Sequence, residues 1–99
     1  MKLAYNIQPS RLVKNYLKKL KDPRLKQYFV DIIYQVIAIN PTAEIEKSGD
    51  LHGIYVQTFK YHGTSYHIAY VINDATTVLL LVAGSHENFY AILRRYYYR

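Results

Sequence analysis

The chain has 99 residues, enough for one domain, and 51% of them are hydrophobic, so a packed core is expected and disorder is not. Thirteen Lys and Arg stand against seven Asp and Glu, a formal charge of +6, which points to a polyanionic partner: nucleic acid first, then an acidic protein or a membrane surface. The absence of cysteine excludes disulfides, thiolate metal sites and a cysteine nucleophile.

The opening, Met1-Lys2-Leu3-Ala4-Tyr5-Asn6-Ile7-Gln8, has no signal-peptide pattern, and no apolar run is long enough to span a membrane. A cytoplasmic protein without membrane contact is the expectation. Twelve tyrosines against three phenylalanines and no tryptophan is an unusual balance. Tyrosine packs by its ring and donates from its hydroxyl, which suits wet clefts and interfaces.

Leu3, Tyr5 and Ile7 alternate with Ala4 and Asn6, which predicts a short first strand. Ser10 is a candidate N-cap for a helix whose apolar face is Leu12, Val13, Tyr16, Leu17 and Leu20. Lys14, Lys18, Lys19 and Lys21 charge that helix. Asp22-Pro23 restarts the pattern, with Asp as cap and Pro in the first turn. A second helix follows through Leu25, Tyr28, Phe29, Ile32, Ile33, Val36 and Ile37 and ends before Asn40-Pro41. So short a link predicts an antiparallel hairpin. Residues 41–50, with Pro41, Ser48, Gly49 and Asp50, read as a loop. Strands are predicted near 53–60, 65–72 and 77–83, with turns at His62-Gly63 and Asn73-Asp74, and a last helix over about 86–96.

The expected architecture is α+β, one domain over residues 1–99: an antiparallel sheet of about four strands, an N-terminal helical hairpin on one face and a short C-terminal helix, in the order β-α-α-β-β-β-α.

The stretch Gly84-Ser85-His86-Glu87-Asn88-Phe89-Tyr90 places polar groups where an apolar strand ends and a helix begins. The plain reading is a helix start: Ser85 or Asn88 as cap, Glu87 complementing the dipole, His86 on the surface. Pairing about an Asn73–Ala75 turn sets His67 opposite Val82, and pairing about His62-Gly63 sets it near Thr58 and Gln57. His67 and His86 are therefore expected at one edge of the sheet, with Lys60, Glu87 and Tyr90 nearby.

Two histidines in a basic cleft suit phosphodiester cleavage of RNA. The 2′-hydroxyl must lose a proton and the leaving 5′-oxygen must gain one, and histidine does either near neutral pH. Nearby cations stabilise charge on the phosphoryl oxygens, and the chemistry requires no metal. A metal site built from His52, His62, His67 and His86 with Asp50 or Glu87 is the rival, but no spacing here matches a helix-borne His pair or a zinc knuckle. Ser85 lacks an elbow motif and a matched acid, and Gly84 alone makes no phosphate loop. The first-helix lysines and the tail residues Arg94 and Arg95 are general phosphate contacts or a solvated face. Tyr96 is expected in the core, with Tyr97 and Tyr98 at an interface or an exposed end.

Three segments, Gly49-Asp50-Leu51-His52-Gly53-Ile54-Tyr55, Tyr66-His67-Ile68-Ala69-Tyr70 and Gly84-Ser85-His86-Glu87-Asn88-Phe89-Tyr90, together with the order of elements, resemble the RelE/ParE superfamily of toxins from type II toxin–antitoxin pairs. The last segment is similar to the glycine-serine-histidine motif of YafQ-type members, whose histidine acts in mRNA cleavage. The resemblance implies a metal-independent mRNA endonuclease acting at the ribosome, without cofactor. Its implied site is His86 as acid or base, His67 as phosphate-binding cation or partner base and Tyr90 stacking or orienting, with Lys60, Glu87, Arg94 and Arg95 around the phosphate. It also implies an acidic antitoxin as partner, with operator DNA reached only through the antitoxin. The chain departs from the family where His67 replaces the arginine of tyrosine-arginine-x-x-tyrosine, and where Val56 and Thr58 replace lysines on the second strand. Those departures leave two other readings open: a ParE-like gyrase inhibitor that acts by binding alone, and a degenerate, non-toxic member.

Overall fold

The computed structural model describes residues 4–44, 46–47 and 49–97, and of Asp50 the backbone alone. Leu3, Ser48, Tyr98 and the Asp50 carboxylate lie outside the described residues.

The element order is the expected one: β1 (Asn6–Pro9), α1 (Arg11–Lys19), α2 (Pro23–Asp31), β2 (Tyr55–Tyr61), β3 (Thr64–Asp74), β4 (Thr77–Ser85) and α3 (Phe89–Tyr97). The strands form one sheet in the order β1-β4-β3-β2. The meander β2-β3-β4 is antiparallel, as expected. β1 differs: it lies parallel to β4, so the sheet is mixed. The strand also starts later than the alternation suggests. The Tyr5 N–H donates to the Ala38 carbonyl (2.8 Å) rather than to the ladder, and Pro9 is tolerated because β1 is an edge strand.

Ser10 caps α1 as predicted, accepting from the Val13 N–H, and its hydroxyl also donates to the Leu81 carbonyl at 2.7 Å. That second bond ties the helix start to β4. Asp22 caps α2, accepting from the N–H groups of Arg24 and Leu25, with Pro23 in the first turn. The second helix is α-helical only to Asp31 and continues as a π-helix over Ile32–Ile37. Leu25, Phe29, Ile33 and Ile37 recur every fourth residue and are all buried. A strict α-helix would rotate such a row steadily off the core, and the wider π turn brings Ile33 and Ile37 back onto it.

Two apolar layers sandwich the sheet. On one face Val13, Leu25, Phe29, Ile33 and Ile37 of the helical hairpin pack on Ile68, Tyr70, Val78 and Leu80. Phe29 is central, with Tyr16, Phe59 and Tyr66 edge-on around it. On the other face Phe89 and Leu93 of α3 pack with Leu51, Ile54, Val56, Ala69, Leu81 and Val82. Tyr96 is partly buried against this second layer, and Tyr97 is exposed. Among the described residues, no helix is long and apolar enough to cross a membrane.

His62 and Gly63 both have positive φ (51° and 79°), the two-residue turn that matches strand twist, and it fixes the β2–β3 register. The β3–β4 turn is centred one residue later than the expected pairing, which shifts the register by two. The Asp74 carboxylate accepts from the Thr76 N–H (2.8 Å) and hydroxyl (3.0 Å), so Asp74 pairs with Thr77 and the turn falls on Ala75-Thr76. His67 therefore lies opposite Gly84, not Val82, and Ala69 takes Val82. A slip of two residues preserves the face.

Candidate active site

Register places the histidines. β2 aligns Thr58 with His67, and β3 aligns His67 with Gly84. The His67 ring lies on the face that α3 covers, against Phe89. The chain then leaves the sheet, with the His86 N–H donating to the Ser65 carbonyl at 2.9 Å. That bond keeps His86 at the sheet rather than in the helix, so α3 begins at Phe89, not at about 86. Asn88, at a φ of +64°, makes the turn, and its carbonyl accepts from Ile92. Ser85 belongs to β4 and stands too far upstream to cap the helix.

His67 and His86 touch: Nε2 of His67 lies 2.9 Å from Nδ1 of His86. Nδ1 of His67 lies 2.8 Å from the Thr58 hydroxyl. His67 is 6% exposed, with both ring nitrogens engaged, and is packed against the rings of Phe89 (4.9 Å between centroids) and Tyr90 (5.8 Å). His86 is exposed and stands edge-on to Tyr90 at 6.4 Å. Burial holds His67 below the usual histidine range, and the neighbouring His86 and Lys47 add to the effect. His67 is thus favoured neutral at pH 7. Both of its ring nitrogens are engaged within the protein, with the Thr58 hydroxyl and with His86.

Lys47 was not anticipated. Its Nζ stands 5.7 Å from the centre of the Tyr90 ring, a cation–π contact at the histidine pair. The loop that carries it is pinned. The Lys47 N–H donates to the Ile54 carbonyl, and Glu46 accepts from the N–H of Gly53, whose φ of +90° suits glycine. The sequence offers only a lysine in a polar loop, with no spacing that ties it to His67.

Of the other expected residues, Lys60 lies on β2 two positions beyond Thr58, opposite Ser65 and on the same face. Glu87 is exposed in the turn beside His86. Arg94 is one helical turn beyond Tyr90, whereas Arg95 lines a separate groove with Leu12, Ile92 and Tyr96. The other two histidines are elsewhere: His52 is 3.3 Å from Glu46, and the His62 ring lies tilted against Tyr61 in the hairpin turn. Among the described residues, no three His, Cys, Asp or Glu side chains are grouped to hold a metal.

Residues 3–94 match the family described as the ParE-like toxin of type II bacterial toxin–antitoxin systems. The chain belongs to that family. No curated protein is significantly similar to this toxin in sequence. Among solved structures it is similar to the RelBE2 toxin–antitoxin complex of Mycobacterium tuberculosis: TM-score 0.69, 23% identity, over 87% of this chain and 95% of that one. It is also similar to a mutant of the E. coli toxin RelE in the free state (TM-score 0.64, 16% identity, 95% and 94% of the two chains). A third likeness is to a conserved hypothetical protein of Helicobacter pylori (TM-score 0.54, 16% identity, 84% and 96%). At these identities the shared property is the fold.

Proposed function

We propose that this toxin is an endoribonuclease that cuts mRNA, acting at the ribosome, by metal-independent acid–base catalysis. The observation that carries the reading is the exposed His86 held by a buried His67, with Lys47 over the neighbouring Tyr90 ring. His86 Nε2 is the ring nitrogen left for substrate, because Nδ1 is engaged with His67. It takes the proton of the 2′-hydroxyl as the oxygen attacks phosphorus, leaving a 2′,3′-cyclic or 3′-phosphate and a 5′-hydroxyl. Lys47, Lys60 and Arg94 supply positive charge toward the phosphoryl oxygens, and Tyr90 orients or stacks the neighbouring base. The missing family arginine is met in part by Lys47.

The partner is an acidic antitoxin that covers this site, and operator DNA is contacted through it. The test is in vitro: purified toxin, programmed ribosomes and a defined mRNA. New 5′-hydroxyl ends support the reading, and intact message with folded wild-type protein on ribosomes refutes it. The second reading is inhibition of DNA gyrase by binding alone, favoured by the ParE-like character of the matched family. It leaves the contact between His67 and His86 without a task.

A further inference from the structure

We propose that Thr58, His67 and His86 form a proton relay in which Thr58 is a positioning residue, its hydroxyl setting the tautomer of the histidine pair and hence whether His86 Nε2 is base or acid. The proposal deepens the reading of His86 as the group that meets RNA and rests on that reading for its catalytic meaning.

A hydrogen bond between two imidazole nitrogens needs one N–H and one bare nitrogen. Two chains of donors satisfy the observed contacts. In the first, Thr58 donates to His67 Nδ1, His67 Nε2–H donates to His86 Nδ1, and His86 carries its proton on Nε2, facing outward as an acid. In the second every bond is reversed: His67 Nδ1–H donates to Thr58 Oγ1, His86 Nδ1–H donates to His67 Nε2, and His86 Nε2 is bare, a base. A hydroxyl both donates and accepts, so it serves either state, which neither an aliphatic nor a charged side chain does. The burial of His67 makes the alternation matter, since an unpaired ring N–H there loses its hydrogen bond without gaining one from water.

In the reacting state the base form takes the 2′-hydroxyl proton onto His86 Nε2 while the His86 Nδ1 proton is shared with His67 Nε2. The positive charge is held mainly on the exposed His86, because burial disfavours it on His67, whose Nδ1–H remains bonded to Thr58. The 2′-oxygen bonds to phosphorus and the P–O5′ bond breaks with its electron pair on O5′. That oxygen takes a proton from water, and the pair returns its extra proton to solvent, so atoms and charge balance. The charged and titratable groups facing His67 are His86, Tyr90 and Lys47.

The test compares the wild-type chain with Thr58→Val and Thr58→Ser. Thr58 is exposed on an edge strand, so valine, β-branched and of similar shape, suits the position. Heteronuclear NMR of the imidazole nitrogens reads the tautomers without substrate. Expected are a shift of His67 toward the Nε2–H form in Thr58→Val, recovery of the wild-type pattern in Thr58→Ser, and a fall in RNA cleavage of roughly tenfold or more in the valine variant alone. The acidic limb of its pH–rate profile should also move to lower pH, because the protonated pair loses its acceptor. In the wild type the nitrogen signals of the two rings should respond to pH together, as one coupled pair. Identical His67 nitrogen patterns in wild type and Thr58→Val, or two rings that protonate independently, overturn the relay. Coupled rings in a chain that cuts no RNA uphold the relay and refute the endonuclease reading instead.

Discussion

His67 Nε2 lies 2.9 Å from His86 Nδ1, across a separation of 19 residues in the chain. The contact joins the middle of a sheet to the turn that leaves it. It divides labour by burial: the inner ring is enclosed by Thr58, Phe89 and Tyr90, and the outer ring faces solvent.

Acid should destabilise the toxin before its carboxylates titrate. His67 is held below its ordinary value by burial, then by His86 and Lys47, so the unfolded chain binds that proton at higher pH than the folded one. Stability from this group is complete above about pH 6.5 and is lost as pH falls from there through the lowered folded value. Asp22 and Asp74 are held low by hydrogen bonds from Tyr61 and Thr76, and their losses come only at more acid pH. Urea midpoints measured at steps from about pH 8 to 5 should fall in that window, and His67→Phe should flatten the fall.

Ser10→Ala should lower stability by about 1–2 kcal/mol, since it removes both the N-cap of α1 and the bond to the Leu81 carbonyl. Chemical denaturation reads the loss. Activity per folded molecule should not change, because the Ser10 side chain bonds Val13 and Leu81 and neither histidine.

Lys47→Gln should weaken RNA binding and reduce the slope of log affinity against log salt by about one. The measurement is fluorescence anisotropy with an uncleavable 2′-deoxy-substituted oligonucleotide at several salt concentrations. An unchanged slope would place Lys47 off the RNA path. Its position over Tyr90 predicts the opposite.

The nearness of the two histidines was legible because the His62-Gly63 turn is unambiguous and the glycine-serine-histidine stretch follows an apolar strand. The β3–β4 register was misjudged by two residues, since Asn73-Asp74 reads as a turn while the Asp74 side chain starts one at Ala75-Thr76. His67 kept its face only because the slip was even. The parallel placement of β1 was not legible: alternation marks a strand but says nothing about its neighbour. Lys47 was hidden for another reason. Its position depends on Glu46 and Gly53 folding the loop back, a contact without periodicity. Ser10, Asp22 and Pro23 were legible because capping is local chemistry, written in adjacent residues.

The most direct test is to express the toxin from a tight promoter in a bacterium that lacks the antitoxin and to map mRNA 5′ ends against cells expressing His86→Ala. His86 is exposed, so alanine should leave the fold intact while removing the acid–base group, a loss of about 10²–10⁴-fold in cleavage. The expected result is growth arrest with new 5′-hydroxyl ends inside coding regions for the wild type, and neither for the variant. Arrest without new ends, or equal cleavage by His86→Ala, would contradict the assignment of RNA cleavage to this histidine pair.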